Sequence, residues 1–239
     1  MKPHSIIGLF LAGMLLTGCA STTRTVDVTM TVFVDLTDTM KLYPTATAIT
    51  APLGLTDNPY QSISIEITAI TDKDFGPTAV FTLPDDNKWS GNSTIRTAMI
   101  RHFIAQVQAC LDTLKRSSTF HHSIIYRPVA IACNHLATAT ATHTYLLLYS
   151  DLEEHSSVNF YTAQTIDSLR NNPQDVEKRF EKDTPLSNLT GLQVWLLYNP
   201  TSYQDNNRYR VLAGFYQHLL AEHGAVVHIG TNFLPQWNS

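Results

Sequence analysis

Charge is scarce in this 239-residue chain: Asp, Glu, Lys and Arg together make up 15% of it, and the formal balance is only -4. Its 16 basic residues are scattered and never gathered into a stripe, so the electrostatic footprint of nucleic-acid binding is missing and no nucleic-acid partner is expected. No C-x-x-C, no G-x-S-x-G and no glycine-rich phosphate loop occurs, which sets aside the commonest thiol-redox, serine-hydrolase and nucleotide-cradling arrangements. Internal repeats are also absent. Beyond residue 19 no second long apolar run follows, so the remainder reads as a water-soluble body.

What is present begins with the first residues. Lys2 gives a positive start, Ser5 to Leu16 form an apolar run short for a permanent span, and Leu16-Thr17-Gly18-Cys19 follows at once. That order reads as an export signal over residues 1–18. The last four residues resemble the bacterial lipobox. The resemblance implies cleavage before Cys19, lipidation of its thiol with diacylglycerol and palmitate, and a membrane partner reached through that anchor in the bacterial cell envelope. Ala20 stands where an Asp often retains such proteins at the inner membrane, which favours the outer membrane. About 220 residues remain after the signal: residues 19–25 make the lipidated cysteine and a tether, and residues 26–239 suit one domain. Cys110 and Cys133 sit in apolar, helix-like contexts; a disulfide and two buried free thiols both fit the sequence.

Val26 to Leu36 is rich in β-branched residues and becomes almost continuously apolar, as in a strand buried on both faces. Similar runs recur at Ser62 to Ile70, Ala79 to Leu83, Thr144 to Leu152, Leu192 to Tyr198 and Ala225 to Ile229. Helical spacing marks Thr94 to Lys115, Ile124 to Ala137, Ala163 to Leu169, Asp175 to Lys182 and Arg208 to His223, with Gly224 placed as a C-cap. Pro44, Pro52, Pro59 and Gly54 leave only a short or broken helix after the first strand. The polar linker of Thr71 to Thr78 is too short for a crossover helix, so the second and third strands should form an antiparallel hairpin at one sheet edge. The expected fold is α/β: a doubly wound, mostly parallel, Rossmann-like sheet with helices on both faces and one antiparallel edge strand.

In such sheets ligands bind beyond the carboxyl ends of the strands, where strand order reverses. Two strands here end in acids. Asp35, Thr37, Asp38 and Thr39 follow the first, and Ser150 and Asp151 close the later one. Carboxylates and hydroxyls converging at one edge offer hard oxygen ligands, suited to Mg²⁺, Mn²⁺ or Ca²⁺. The Asp35-Leu36-Thr37-Asp38-Thr39 run resembles the D-x-[ST]-x-[ST] metal-ion-dependent adhesion site of von Willebrand factor type A domains, and Ser150-Asp151 resembles that site's distal aspartate. Ser123 best matches the hydroxyl that the family places ahead of the preceding helix, with Thr119 as the alternative. The resemblance spans Val26 to Phe233 and implies metal ligation by Asp35, Thr37, Thr39, Ser123 and Asp151, with a protein ligand's carboxylate completing the shell. Leu152 stands where the family usually has Gly, and no glycine lies near Ser123. Those departures resemble a divergent branch of lipoproteins and proteins of plasmids or conjugative elements.

Taken singly, each feature has a plainer reading. Asp35 and Asp38 can close an Asx-turn, Glu153, Glu154 and His155 read as a solvated helix start, and the histidines, including His121, His122, His218 and His223, read as surface or packing residues. Trp89, Trp195, Trp237, Tyr198 and Tyr203 read as core and rim. The functional expectation is a non-enzymatic, lipid-anchored module that binds protein through a divalent cation. A haloacid-dehalogenase-type phosphohydrolase is the competing reading, although Thr37 occupies the position of its second acid; a structural subunit with an inactive site is the third.

Overall fold

The computed structural model describes residues 27–37, 42–88, 91–117 and 120–235. The signal, Cys19, the tether and Thr39 therefore lie outside the described residues, as do Asp38, Thr119, Trp89 and Trp237.

Six strands make one sheet: β1 (Val28–Asp35), β2 (Ile63–Ile70), β3 (Thr78–Leu83), β4 (His143–Tyr149), β5 (Leu192–Leu197) and β6 (Val226–Gly230). Their spatial order is β3-β2-β1-β4-β5-β6, and every neighbouring pair is parallel except β2 with β3. The edge hairpin is therefore as its short linker requires. β1 and β4 are the innermost strands. Both are buried almost throughout, which is why their sequences run apolar without a clean alternation.

The helices are α1 (Ala46–Thr50), α2 (Ser93–Lys115), α3 (Tyr126–Ala137), α4 (Ala163–Asn171), α5 (Pro173–Asp183) and α6 (Tyr203–Glu222). The proline-rich stretch yields only the five residues of α1 and a short 3-10 turn. α2 packs Phe103, Val107, Leu111 and Leu114 toward the sheet side carrying Ile67, Ala79 and Phe81. α3 takes the opposite side, beside Phe33, Glu66 and Thr68. α5 and α6 join α3 there, through Phe180 stacked on Tyr126 and tilted against Tyr216. Cys110 on α2 and Cys133 on α3 thus lie on opposite faces of the sheet, and both thiols are free. α6 begins five residues before the expected Arg208, because Ser202 caps it by accepting the N–H of Asp205. It ends as expected: Gly224 takes φ 96°, and a Cβ there would stand 2.9 Å from Thr190 Oγ1.

A buried cation ties the first face together. Arg96, 1% exposed near the start of α2, donates to the carbonyls of Pro59, Pro84 and Gln61 at 2.5, 2.6 and 2.7 Å. These carbonyls flank β2 and β3, so one side chain fixes both ends of the hairpin against the helix. Replacing it removes the donor from three acceptors, of which the Gln61 carbonyl is buried and those of Pro59 and Pro84 are partly buried. Arg96→Met is therefore expected to lower unfolding free energy by about 3 kcal/mol. Urea denaturation measures this directly, and a loss under about 0.5 kcal/mol would show that the guanidinium does not hold α2 in place.

Candidate metal centre at the strand ends

Register puts the acidic strand ends side by side. Val34 of β1 pairs with Tyr149 of β4, so Asp35 and Ser150 leave the sheet level with each other, between the strands where the order reverses. Asp35 is fully buried, and three donors converge on it. Ser150 Oγ donates to Oδ2 at 2.6 Å, Ser123 Oγ to Oδ1 at 2.9 Å, and the Thr37 N–H to Oδ1 at 3.1 Å. The two serines lie 115 and 88 residues from Asp35 in the chain.

The loop that delivers Ser123 is stitched down on both sides. The Phe120 N–H donates to the Leu36 carbonyl at 2.9 Å, Thr37 bridges to Phe120, the Ile124 N–H donates to the Thr71 carbonyl at 2.9 Å, and the His155 N–H donates to the Ser123 carbonyl at 2.8 Å. α3 follows without a capping side chain of its own, since its N-cap is Ile125. Glu154 supplies the cap: its Oε2 accepts the N–H groups of Ile125 and Tyr126 at 2.8 and 2.7 Å. Glu154 is completely buried, which corrects the expectation of a solvated helix start. Burial pushes its carboxyl above the ordinary range, and the capped amides oppose that rise. The missing cap residue at Ile125 was the sequence signal that an acid must come from elsewhere.

After β4 the chain turns sharply. Leu152 takes φ 67°, the one non-glycine residue at positive φ among the described residues, and its N–H donates to Ser150 Oγ at 2.9 Å. A left-handed backbone is what glycine adopts without cost, so the departure from Gly at this position keeps the geometry and adds a buried side chain. Asp151 is buried beside it, its Oδ1 accepting the Glu153 N–H at 3.0 Å.

Carboxylates crowd this end of the sheet. Burial and then the charge of Asp151 push Asp35 up to about 7, against the pull of its bonds to Ser150, Ser123 and Thr37. Burial and then Asp151 also raise Glu153 to about 7, although Arg208 lies 2.5 Å from it and opposes the rise. The other end of that guanidinium donates to the Phe160 carbonyl. Around the rim, His122 stacks on His155 at 4.2 Å, with Tyr161 edge-on to both. Burial and then Asp151 push the phenols of Tyr161, Tyr198 and Tyr209 up.

Of the five residues proposed as ligands, Asp35 and Ser123 touch through their side chains, Thr37 reaches Asp35 through its backbone, and Asp151 acts on Asp35 through its charge. Thr39 lies outside the described residues. Ser150, placed at this edge by sequence without a role, makes the shortest contact. The donors of this set are all oxygens, which suits Mg²⁺, Mn²⁺ or Ca²⁺. A separate group lies across α5 and α6: ligand atoms of Glu177, His218 and Glu222 fall within 4.8 Å of one another.

No protein-family profile matches this sequence, and no curated protein does. Among solved structures the chain is similar to a von Willebrand factor type A protein from Catenulispora acidiphila, at 14% identity and a TM-score of 0.33. That alignment covers 87% of this chain and 39% of the other, so the chain spans well under half of that structure's length. A superposition this loose adds no argument, and the fold assignment rests on strand order and register.

Folded Asp35 holds its proton to about pH 7 whereas the unfolded residue releases it near 3.8, so in cation-free buffer stability must fall as pH rises through that interval. Asp35→Asn removes the penalty. It should stabilise the cation-free protein by roughly 1–3 kcal/mol at pH 7.5 and by little at pH 4. Thermal melts at the two pH values check this; an equal shift at both would contradict the assigned cause. With sheet order 3-2-1-4-5-6, an antiparallel edge at β3 and Asp35 level with Ser150 at the switch point, the chain has the doubly wound, mostly parallel α/β fold expected from its sequence.

Proposed function

We propose that this domain is a protein-binding module that captures a partner's carboxylate through a divalent cation held beyond β1 and β4. The observation that carries the reading is the convergence on buried Asp35 of hydroxyls from Ser123 and Ser150, residues that sheet register and the bonded loop before α3 bring together from distant parts of the chain. Each hydroxyl spends its proton on the carboxylate, and although Ser150 Oγ also accepts the Leu152 N–H it retains a second lone pair, so both serines can offer oxygen to anything positive beside them. Asp35, Thr37, Thr39, Ser123 and Asp151 would hold Mg²⁺, or Mn²⁺ or Ca²⁺ in its place. The cation supplies neutralisation of the clustered acids and one coordination position for a partner's Asp or Glu. Charge supports this: acids that raise one another's affinity for protons also favour a cation that relieves them.

Lipid on Cys19 would confine the domain to the envelope, with the outer membrane favoured by Ala20, as part of an adhesion or assembly system related to conjugative elements. The tether of residues 20–25 then leaves the domain close to the bilayer.

Two measurements test the reading. Mn²⁺ titrated into chelator-stripped protein should bind with one equivalent, and Asp151→Ala should weaken it about tenfold or more while circular dichroism stays unchanged. Equal affinity in the two proteins removes the metal site, and turnover of p-nitrophenyl phosphate dependent on Asp35 replaces the binding module with the phosphohydrolase. For the anchor, bacteria fed labelled palmitate should incorporate label into the wild-type chain and not into Cys19→Ala. Label retained by the variant rules out lipidation at Cys19.

A further inference from the structure

The three-residue group on α5 and α6 lies away from the strand-end site, and its chemistry differs. α6 starts beyond the carboxyl end of β5 and runs back to finish just ahead of β6, so Glu222 sits at the opposite edge of the sheet from Asp35. His218 and Glu222 occupy i and i+4 on α6, with Nε2 and Oε1 3.2 Å apart. Glu177 faces them from α5. All three ligand atoms lie within 4.8 Å of one another.

Two further observations single this group out from an ordinary surface ion pair. First, Glu177 Oε1 is closed off from solvent and has no hydrogen-bond partner, so an acceptor that water would normally satisfy is left facing the pair on α6. Second, α6 carries no basic residue in its last turn and ends on Glu222. The carbonyl end of a helix favours cations, and an acid there is unfavourable unless something positive joins it. One turn further along the same seam His223 Nε2 meets Glu181 Oε1 at 2.6 Å, while Phe180 packs on Phe215 and Tyr216. The two helices are thus already held in register, and the three ligands need no long-range rearrangement to act together.

We infer that Glu177, His218 and Glu222 form a second metal site, for a borderline divalent ion of the Zn²⁺ type. An imidazole with two carboxylates is a mixed nitrogen and oxygen set, which prefers Zn²⁺ or Co²⁺ to Mg²⁺; the all-oxygen set at Asp35 has the reverse preference. Glu177 belongs to α5 and the other two ligands to α6, so the ion clips these helices together. With three protein ligands it keeps one tetrahedral position for water or an external donor. The inference stands on different residues from the proposed binding function and does not depend on it.

The test uses the full chain, stripped with chelator and titrated calorimetrically with Zn²⁺ alone, with Co²⁺ as an optical probe. One equivalent of Zn²⁺ should bind at least about tenfold more tightly than Mg²⁺ at this site, and Zn²⁺ should raise the melting temperature. His218→Ala and Glu177→Gln should each weaken binding about tenfold or more and abolish that rise, while Asp151→Ala leaves both intact. His218 is exposed and Glu177→Gln is isosteric, so neither variant should disturb the fold, and circular dichroism verifies this. Zn²⁺ binding that survives His218→Ala, or that is lost instead in Asp151→Ala or His155→Ala, overturns the assignment. So does the absence of any Zn²⁺-dependent stabilisation in the wild-type chain.

Discussion

A fully buried carboxylate at the middle of a parallel sheet dictates how the rest of this domain is arranged. Asp35 can remain in place only if donors reach it, and the chain brings them from β4, from the loop before α3 and from its own following turn. The pairing of β1 with β4 sets Ser150 at the right height; a slip of one residue would turn Asp35 and Ser150 to opposite faces. Ser123 in turn depends on the loop bonded to Leu36, Thr71 and His155, and that loop leads into a helix whose first amides are closed by Glu154. Sheet register, loop position and helix capping are therefore one linked set, with acids at two of its nodes.

The domain handles its buried charges in two ways. Arg96 donates to three backbone carbonyls and Glu154 accepts two backbone amides through Oε2, so each is held by the backbone, although Glu154 Oε1 is buried without a hydrogen-bond partner. Asp35, Asp151 and Glu153 instead press on one another, and the hydroxyls and Arg208 offset only part of that pressure. The first kind of arrangement makes a structure rigid. The second leaves free energy available to whatever brings positive charge to the strand ends, which is a reason to look for a ligand there and not at the equally buried Arg96.

The sheet was legible because its strands are short apolar runs bounded by polar turns, and the antiparallel edge because Thr71 to Thr78 cannot hold a crossover helix. Acids at two strand ends could be read as neighbours once parallel order was assumed, since such order brings those ends together. Other features were hidden for specific reasons. Glu154 stands in a polar run, Glu153-Glu154-His155, that by composition belongs on a surface, and only the three-dimensional approach of α3 buries it. Arg96 lies in the exposed first turn of an amphipathic helix, and its three acceptors come from segments 12 to 37 residues away. His218 and Glu222 show helical spacing in sequence, but the relative rotation of α5 and α6 that adds Glu177 is set by Phe180 against Tyr216, which no spacing encodes. Leu152 gives no hint of a left-handed turn, because the burial of its side chain offsets the backbone cost.

The placement of the two described cysteines reaches beyond packing. With one thiol on each side of the sheet and Cys133 pushed up to about 12 by burial, no covalent bond between them takes part in folding. No thiol–disulfide exchange between them has to be completed for the described residues to reach this fold. Oxidation of either thiol would therefore add no cross-link between the two faces of this sheet.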